Sequence, residues 1–367
     1  MFDVAIVGGG PAGSVLAHRL AGSGCSVALL ERTRFDDLRV GESLAPVVEP
    51  LLASLGIHDV FEAVPSVPFR TVRTTWADAT STDLDIGPAH GRHVDRAVFD
   101  ATLSRRASDA GVAVLEAWPA TRFSFEQGSW MTQASDGRIV RSRVLVDATG
   151  RGARVAHALG AGREVFDRQV AIGGRWSGLA HEDEDGTLLI EPVPEGWWYS
   201  APVPGGGLVG MLFTDVDLCR RDRLADDDIW MTALARAAAT TARTRGSRPR
   251  TRPTVSPAAC GRLRRPLGDD RPWIAVGDAA ANVDPLSGSG VRRAVESARD
   301  AAHTIAAMLE GPLARREAIA DHEARGDDDC TRELRERWDV YAECDRFASD
   351  YWDRRAAARS ALAGAAT

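Results

Sequence analysis

The first thirty-odd residues constrain the chain most. Asp3-Val-Ala-Ile-Val7 is a short β-branched run, Gly8-Gly-Gly10-Pro-Ala-Gly13 is a glycine-rich turn, and Ser14 to Gly22 is helix-like. A second apolar run, Ser26-Val-Ala-Leu-Leu30, ends at Glu31-Arg32. Strand, turn, helix and strand carry G-x-G-x-x-G at Gly8, Gly10 and Gly13. The first glycine permits the turn, the second lets a pyrophosphate reach backbone N–H groups, and the third lets helix and strand pack closely. The phosphates would sit at the positive end of the helix dipole. Glu31 follows Gly13 by eighteen positions. At the end of the second strand, its carboxylate can accept both ribose hydroxyls of an adenosine. The segment predicts a dinucleotide site.

At 367 residues the chain is long enough for two domains, or for one with large insertions. A net charge of −7 argues against a general nucleic-acid or anionic-membrane surface. Five cysteines are scattered without a C-x-x-C pair, which suggests a reduced, cytoplasmic protein. The opening strand is not a signal peptide, and no apolar run reaches the ~20 residues of a membrane span. All 45 basic residues are arginine, so chemistry needing a lysine amine is excluded.

Further along, Gly41-Glu-Ser43 precedes an apolar stretch to Ile57, with Gly56 as a helix C-cap. Alternation at Thr71 to Trp76 suggests strands. Phe99, Leu103 and Ala107 share a helical face, and residues 121 to 146 read as a β-meander ending at Asp147-Ala-Thr-Gly150. An alanine-rich helix is expected near 226 to 245, and a helical segment from about 314 to 360. Trp273-Ile-Ala-Val276 is a buried strand opening into Gly277-Asp278, the loop Pro285-Leu-Ser-Gly-Ser-Gly290 and a helix from Val291 to Leu309.

The opening turn, the turn at 147–150 and the strand ending at Asp278 would converge on one ligand. A dehydrogenase that uses only NAD has no need of the third. A flavin does, because a strand-end carboxylate can accept a ribityl hydroxyl. Gly288 and Gly290 let backbone lie against a flat ring without a Cβ in the way. The helix after them would turn its positive end toward negative charge on a reduced flavin.

With these motifs the chain resembles the flavoprotein hydroxylase superfamily, the fold of para-hydroxybenzoate hydroxylase, geranylgeranyl reductase and the flavin-dependent halogenases. The match covers roughly 1–60, 92–155 and 265–310. The resemblance implies an α/β fold: an FAD-binding, Rossmann-like three-layer domain with an inserted antiparallel-sheet substrate domain and C-terminal helices. The expected division is 1–70, 92–160 and 260–312 for FAD, 71–91 and 161–259 for substrate, and 313–367 for the helices. It implies that Gly8, Gly10, Gly13 and Glu31 hold the AMP half of FAD, with Ala12 also among the cofactor-binding residues. Arg32 and Arg39 would approach the adenosine and phosphates, Arg96 the ribityl-phosphate region, and Asp278 the ribityl chain. Ser43, Gly288, Ser289, Gly290 and Val291 complete the expected cofactor set.

Gly41-Glu-Ser43 and Gly196-Trp-Trp-Tyr-Ser-Ala-Pro202 resemble the halogenase and reductase branch more than the phenol hydroxylases. Halogenases need a lysine, which this chain lacks, and their W-x-W-x-x-I-P motif is broken: Tyr199 stands two residues after Trp197, and Ala201 precedes Pro202. The chain is similar in length and motifs to flavoproteins that hydroxylate a protein-bound tryptophan during tryptophylquinone maturation. That resemblance implies a monooxygenase acting through a flavin C4a-hydroperoxide on an aromatic substrate, free or within a polypeptide. The alternatives are a double-bond reductase and a flavoprotein that binds and matures a partner polypeptide. Electrons would come from NAD(P)H or from a partner flavin reductase, since Asp147-Ala-Thr-Gly150 replaces the usual D-G motif. Glu42 is the candidate acid/base, the other reading being a helix-start cap. Trp197, Trp198 and Tyr199 either line a substrate pocket or fill the core, with core preferred for at least one. His90 and His93 lack a third ligand nearby, so no metal site is expected.

Overall fold

The computed structural model describes the whole chain except residues 38, 77–79, 178–185, 269–270 and 366–367. The N-terminal strand Phe2–Val7 lies between Val27–Leu30 and Ile139–Asp147, parallel to both. The sheet continues outward through Ala113–Leu115 on one side and the antiparallel strands Ser129–Ala134 and Ala120–Glu126 on the other. On the edge away from Phe2–Val7, strand Ile139–Asp147 has two partners in turn. Its first half pairs antiparallel with Ser129–Ala134, and its last residues pair parallel with Trp273–Ala275.

Period-two alternation gives this sheet two buried faces. Val4, Ile6, Val27, Leu29, Val144 and Val146 face helices Pro11–Gly22, Arg96–Asp109 and Gly290–Glu310. Ala5, Val7, Ala28, Leu30 and Leu145 face Trp118, Trp130 and the short helix Arg154–Ala158. Helix Pro11–Gly22 starts on a proline, whose fixed φ suits the first turn and whose missing N–H would be unpaired there anyway. Helix Gly290–Glu310 buries Val291, Ala294, Val295, Ala298, Ala301, Ala302 and Ile305 at helical spacing, and its alanines permit close approach to the first helix.

A second large sheet is antiparallel through Gln169–Ser177, Gly207–Asp215, Gly196–Val203 and Leu188–Val193, with Thr71–Thr74 added parallel at one side. One of its faces meets Trp230 of helix Asp227–Leu234. The other carries Ala171, Trp197, Met211 and Phe213 and is partly covered by Trp338, Tyr341, Tyr351 and Trp352 from the C-terminal helices Pro312–Ala342 and Asp350–Ala365. A three-stranded sheet of Ser43–Leu44, Gly91–Val94 and Ser66–Phe69 holds the Gly-Glu-Ser segment.

Two expectations change. The alanine-rich stretch forms two helices, Asp227–Leu234 and Ala238–Thr244, rather than one. Glu191, on the neighbouring strand, accepts the backbone N–H groups of Ala239 (3.1 Å) and Thr240 (2.8 Å) and the Thr240 hydroxyl (2.8 Å). A buried carboxylate that takes first-turn N–H groups favours a fresh helix start at that point. The C-terminal segment likewise breaks after Ala342, and Tyr351 and Trp352 fold back beside Tyr341. Among the described residues, no helix is long and apolar enough to cross a membrane.

Candidate active site

The opening turn has the shape a diphosphate needs. A Cβ on Gly8, where φ is +112°, would lie 2.2 Å from the Ala148 carbonyl oxygen, and one on Gly13 would lie 1.9 Å from the Gly8 carbonyl oxygen. Both positions exclude any side chain. Gly10, the N-cap of the first helix, faces open space, and no side chain caps the helix there. Its first N–H groups are therefore open to an anion. Gly277 is so close to Ala12 that a Cβ on it would stand 2.9 Å from the Ala12 Cβ. The end of strand Trp273–Ala275 thus lies beside the start of the first helix and delivers Asp278 there. The Asp278 side chain is about one-third exposed, and its only ion pair among the described residues is with Arg151 at 3.5 Å. Gly288 (φ +60°) and Gly290 also face open space, and no side chain caps helix Gly290–Glu310. Glycine cradles, two uncapped helix starts and a partly exposed carboxylate fit a flavin dinucleotide.

Other cofactor candidates make specific contacts. Glu31 is 4% exposed. Its Oε2 accepts the Gly9 N–H at 2.8 Å, and its Oε1 accepts from Thr33 and from Arg39 at 3.1 Å. Arg39 reaches on to Asp100 at 2.9 Å, and Asp100 also receives Arg96. Arg96 donates to the Val40 carbonyl at 2.9 Å, tying this charged row to the Gly-Glu-Ser segment. Arg32 is exposed. Asp147 is buried and engaged by protein: its oxygens accept from Thr149 and from the Ala156 N–H. Ala12 lies buried in the first helix, and Val291 is buried in the first turn of helix Gly290–Glu310. Ser289 precedes that helix, its hydroxyl 2.8 Å from that of Ser287.

Glu42 is 1% exposed. The Gly41 N–H donates to its Oε2 at 3.0 Å, while its Oε1 is buried without a hydrogen-bond partner. Burial, the largest influence, pushes its pKa above the ordinary carboxyl range, against the pull of nearby Arg175 and Arg96. Arg175 Nη2 stands 3.6 Å from Glu42 Oε1, and its Nη1 stands 3.3 Å from Asp95. Both side chains line a small pocket, with Gly173, Met211, Thr254 and Ser256 on its sheet wall.

The aromatic triplet separates by strand parity. Trp198 points to the far face beneath Trp230, whereas Trp197 and Tyr199 share the pocket face. Trp197 is stacked on Phe213 at 4.0 Å and donates to the Tyr341 hydroxyl at 3.0 Å, so it is core. Tyr199 is paired across the sheet with pocket-lining Met211, and its hydroxyl lies 2.7 Å from that of Ser43. Ser43 in turn stands 2.6 Å from His93 Nδ1, so its hydroxyl is engaged by protein. Burial lowers the pKa of His93 from 6.5 to about 4. His90 is exposed, and both nitrogens of His93 are taken up by Ser43 and Gly186. Sequence reasoning missed Arg175, Asp95, Asp100 and His93 as parts of this site. They carry no local motif and come together only in the folded chain.

Comparison with known proteins agrees with this geometry. The family described as "FAD binding domain" matches residues 1–326. A putative FAD-dependent oxidoreductase, LodB, from Marinomonas mediterranea is 30% identical over 310 residues, covering 81% of this chain and 82% of its own. The myxobacterial chondrochloren halogenase CndH superposes with a TM-score of 0.86 at 23% identity, covering 96% of this chain and 85% of its own. The peptidyl tryptophan dihydroxylase QhpG superposes with a TM-score of 0.80 at 24% identity, covering 96% of this chain and 78% of its own. The fold is thus shared with enzymes of different reactions, and the chain belongs to the FAD-binding family of flavoprotein hydroxylases and halogenases, as an FAD-dependent oxidoreductase.

Proposed function

We propose that this oxidoreductase is a monooxygenase that hydroxylates an aromatic, N–H-bearing substrate, with a tryptophan side chain in a polypeptide as the leading case. One observation carries the reading: Oε1 of Glu42 is buried without a hydrogen-bond partner, and Glu42 lines a pocket together with Arg175. A buried oxygen without a partner is costly unless a ligand supplies one. An indole N–H is such a donor, and Met211 and Val209 offer apolar contact for its ring. The likeness to the peptidyl tryptophan dihydroxylase QhpG supports the same direction.

FAD, when bound, supplies oxygen activation. The expected cofactor residues would hold it, with the first helix toward the diphosphate and Asp278 toward the ribityl chain. Glu42 takes or returns a proton at Oε1, because Oε2 is occupied by the Gly41 N–H. Arg175 steadies the charged form of Glu42 and orients the substrate. The electron donor is NAD(P)H or a partner flavin reductase. A lysine-dependent halogenase is disfavoured because the chain has no lysine.

The test supplies reduced holoenzyme with ¹⁸O-labelled oxygen and tryptophan-containing peptides, free indoles or phenols. Mass spectrometry should find label in an aromatic product. Label in none of them overturns the proposal.

A further inference from the structure

We propose that Arg337, far along the chain on helix Pro312–Ala342, is a positioning residue for the Pro285–Gly290 loop and through it for the flavin. The inference rests on the FAD reading of that loop. The Arg337 side chain is 5% exposed, with Nε 2.7 Å from Asp284 Oδ2 and Nη2 2.9 Å from Asp167 Oδ2. Asp284 faces two ways. Its Oδ1 accepts the Leu286 N–H at 2.9 Å and caps the tight turn Pro285–Ser287, which leads through left-handed Gly288 to the start of helix Gly290–Glu310. Its Oδ2 faces Arg337 and lies 3.1 Å from the Tyr341 hydroxyl, one helical turn further along the same helix. One carboxylate therefore joins the C-terminal helix to the loop expected beside the flavin ring.

The charge balance explains why this join is sensitive. One ligand-type atom from each of Asp167, Cys260 and Asp284 lies within 4.8 Å of the others, a set that calls for a cation, and the guanidinium of Arg337 is that cation. Its nitrogens are close to the oxygens but not aligned for hydrogen bonds, so charge rather than direction holds the cluster. Without Arg337, two neighbouring carboxylates would repel one another out of water's reach. The unit free to respond is Asp284, whose movement releases the cap on Leu286. The uncapped start of helix Gly290–Glu310 then shifts, and with it the positive end available to a reduced flavin.

The experiment compares wild type, Arg337→Met and Arg355→Met as full-length holoproteins. Arg355 is an equally buried arginine on the second C-terminal helix; it bonds Asp215 and Gln169 but not Asp284. Thermal melts, FAD dissociation constants and the midpoint potential of bound FAD are measured. Both variants should melt lower. Only Arg337→Met should weaken FAD, by about two- to fivefold, the range of a helix-terminus interaction, and move the potential to more negative values. The proposal is overturned if Arg337→Met melts lower but keeps wild-type affinity and potential, or if Arg355→Met shifts both equally. Should Arg337→Met fail to fold, Tyr341→Phe removes another contact to Asp284 and must shift affinity and potential in the same direction; no shift overturns the proposal. A wild type that binds no FAD overturns the FAD reading instead.

Discussion

Ser43 Oγ lies 2.6 Å from His93 Nδ1, and the opposite ring nitrogen of His93 lies 2.7 Å from the Gly186 carbonyl oxygen. A carbonyl only accepts, so Nε2 carries the proton and Nδ1 accepts from the Ser43 hydroxyl. The Ser43 oxygen then accepts from Tyr199, and the row runs in one direction from sheet to sheet.

This neutral imidazole gives a pH prediction. His93 titrates near 4 in the folded protein against 6.5 as its ordinary value. Between those values the unfolded chain binds a proton that the native site refuses, so stability falls as pH drops from 6.5 toward 4. The full effect is about 3 kcal/mol. Urea midpoints at pH 7 and pH 4.5 should show a steeper fall for wild type than for His93→Asn. Parallel pH profiles would mean that His93 is not held neutral.

Asp278→Ala should fold and lose most of its FAD. A hydrogen bond from a ribityl hydroxyl to this carboxylate is worth ~1.5–3 kcal/mol, or roughly ten- to a hundredfold in affinity. Flavin absorbance per mole of protein after dialysis reads the result, and a fully yellow variant contradicts the placement.

Glu42→Gln should retain FAD and lose turnover. It should also gain roughly 1 kcal/mol of stability at neutral pH by removing an incompletely paired buried charge. A raised carboxyl pKa costs stability as pH climbs through it, so the gain should grow with pH. Single-turnover kinetics together with melts at two pH values check both parts. Normal turnover would remove the catalytic role alone.

Gly13→Ala places a methyl group 1.9 Å from the Gly8 carbonyl oxygen. Backbone must move, at a cost of at least ~1–3 kcal/mol. Circular dichroism melts should show that loss together with weakened FAD. Gly10→Ala has open space around its Cβ and should cost far less.

The opening turn was legible because its constraint is steric and local: the glycines at 8 and 13 admit no substituent, and that shows as spacing. Strand Trp273–Ala275 and the loop after it were legible from an apolar run followed by turn residues. Parity within 197–199 could have separated Trp198 from its neighbours, because side chains alternate along any strand. The Glu42–Arg175 pair was not legible. It depends on where Gly41–Ser43 meets strand Gln169–Ser177, and no periodicity in either segment encodes that meeting. The break at Ala235–Ala237 was hidden for the same reason, since the carboxylate that starts the next helix belongs to Glu191 on a distant strand.

The parallel seam Phe2–Val7, Ile139–Asp147 and Trp273–Ala275 also sets an order of assembly. The last of these strands leaves the ribosome on the order of 10–50 s after the first, at 5–20 residues per second. The antiparallel strands from Gln169 to Asp215 pair with near neighbours and are complete well before then. The nascent protein therefore carries the paired antiparallel strands from Gln169 to Asp215 while its cofactor half still exposes the unpaired backbone edge of Leu145, Val146 and Asp147, and that interval is when a chaperone has most to protect.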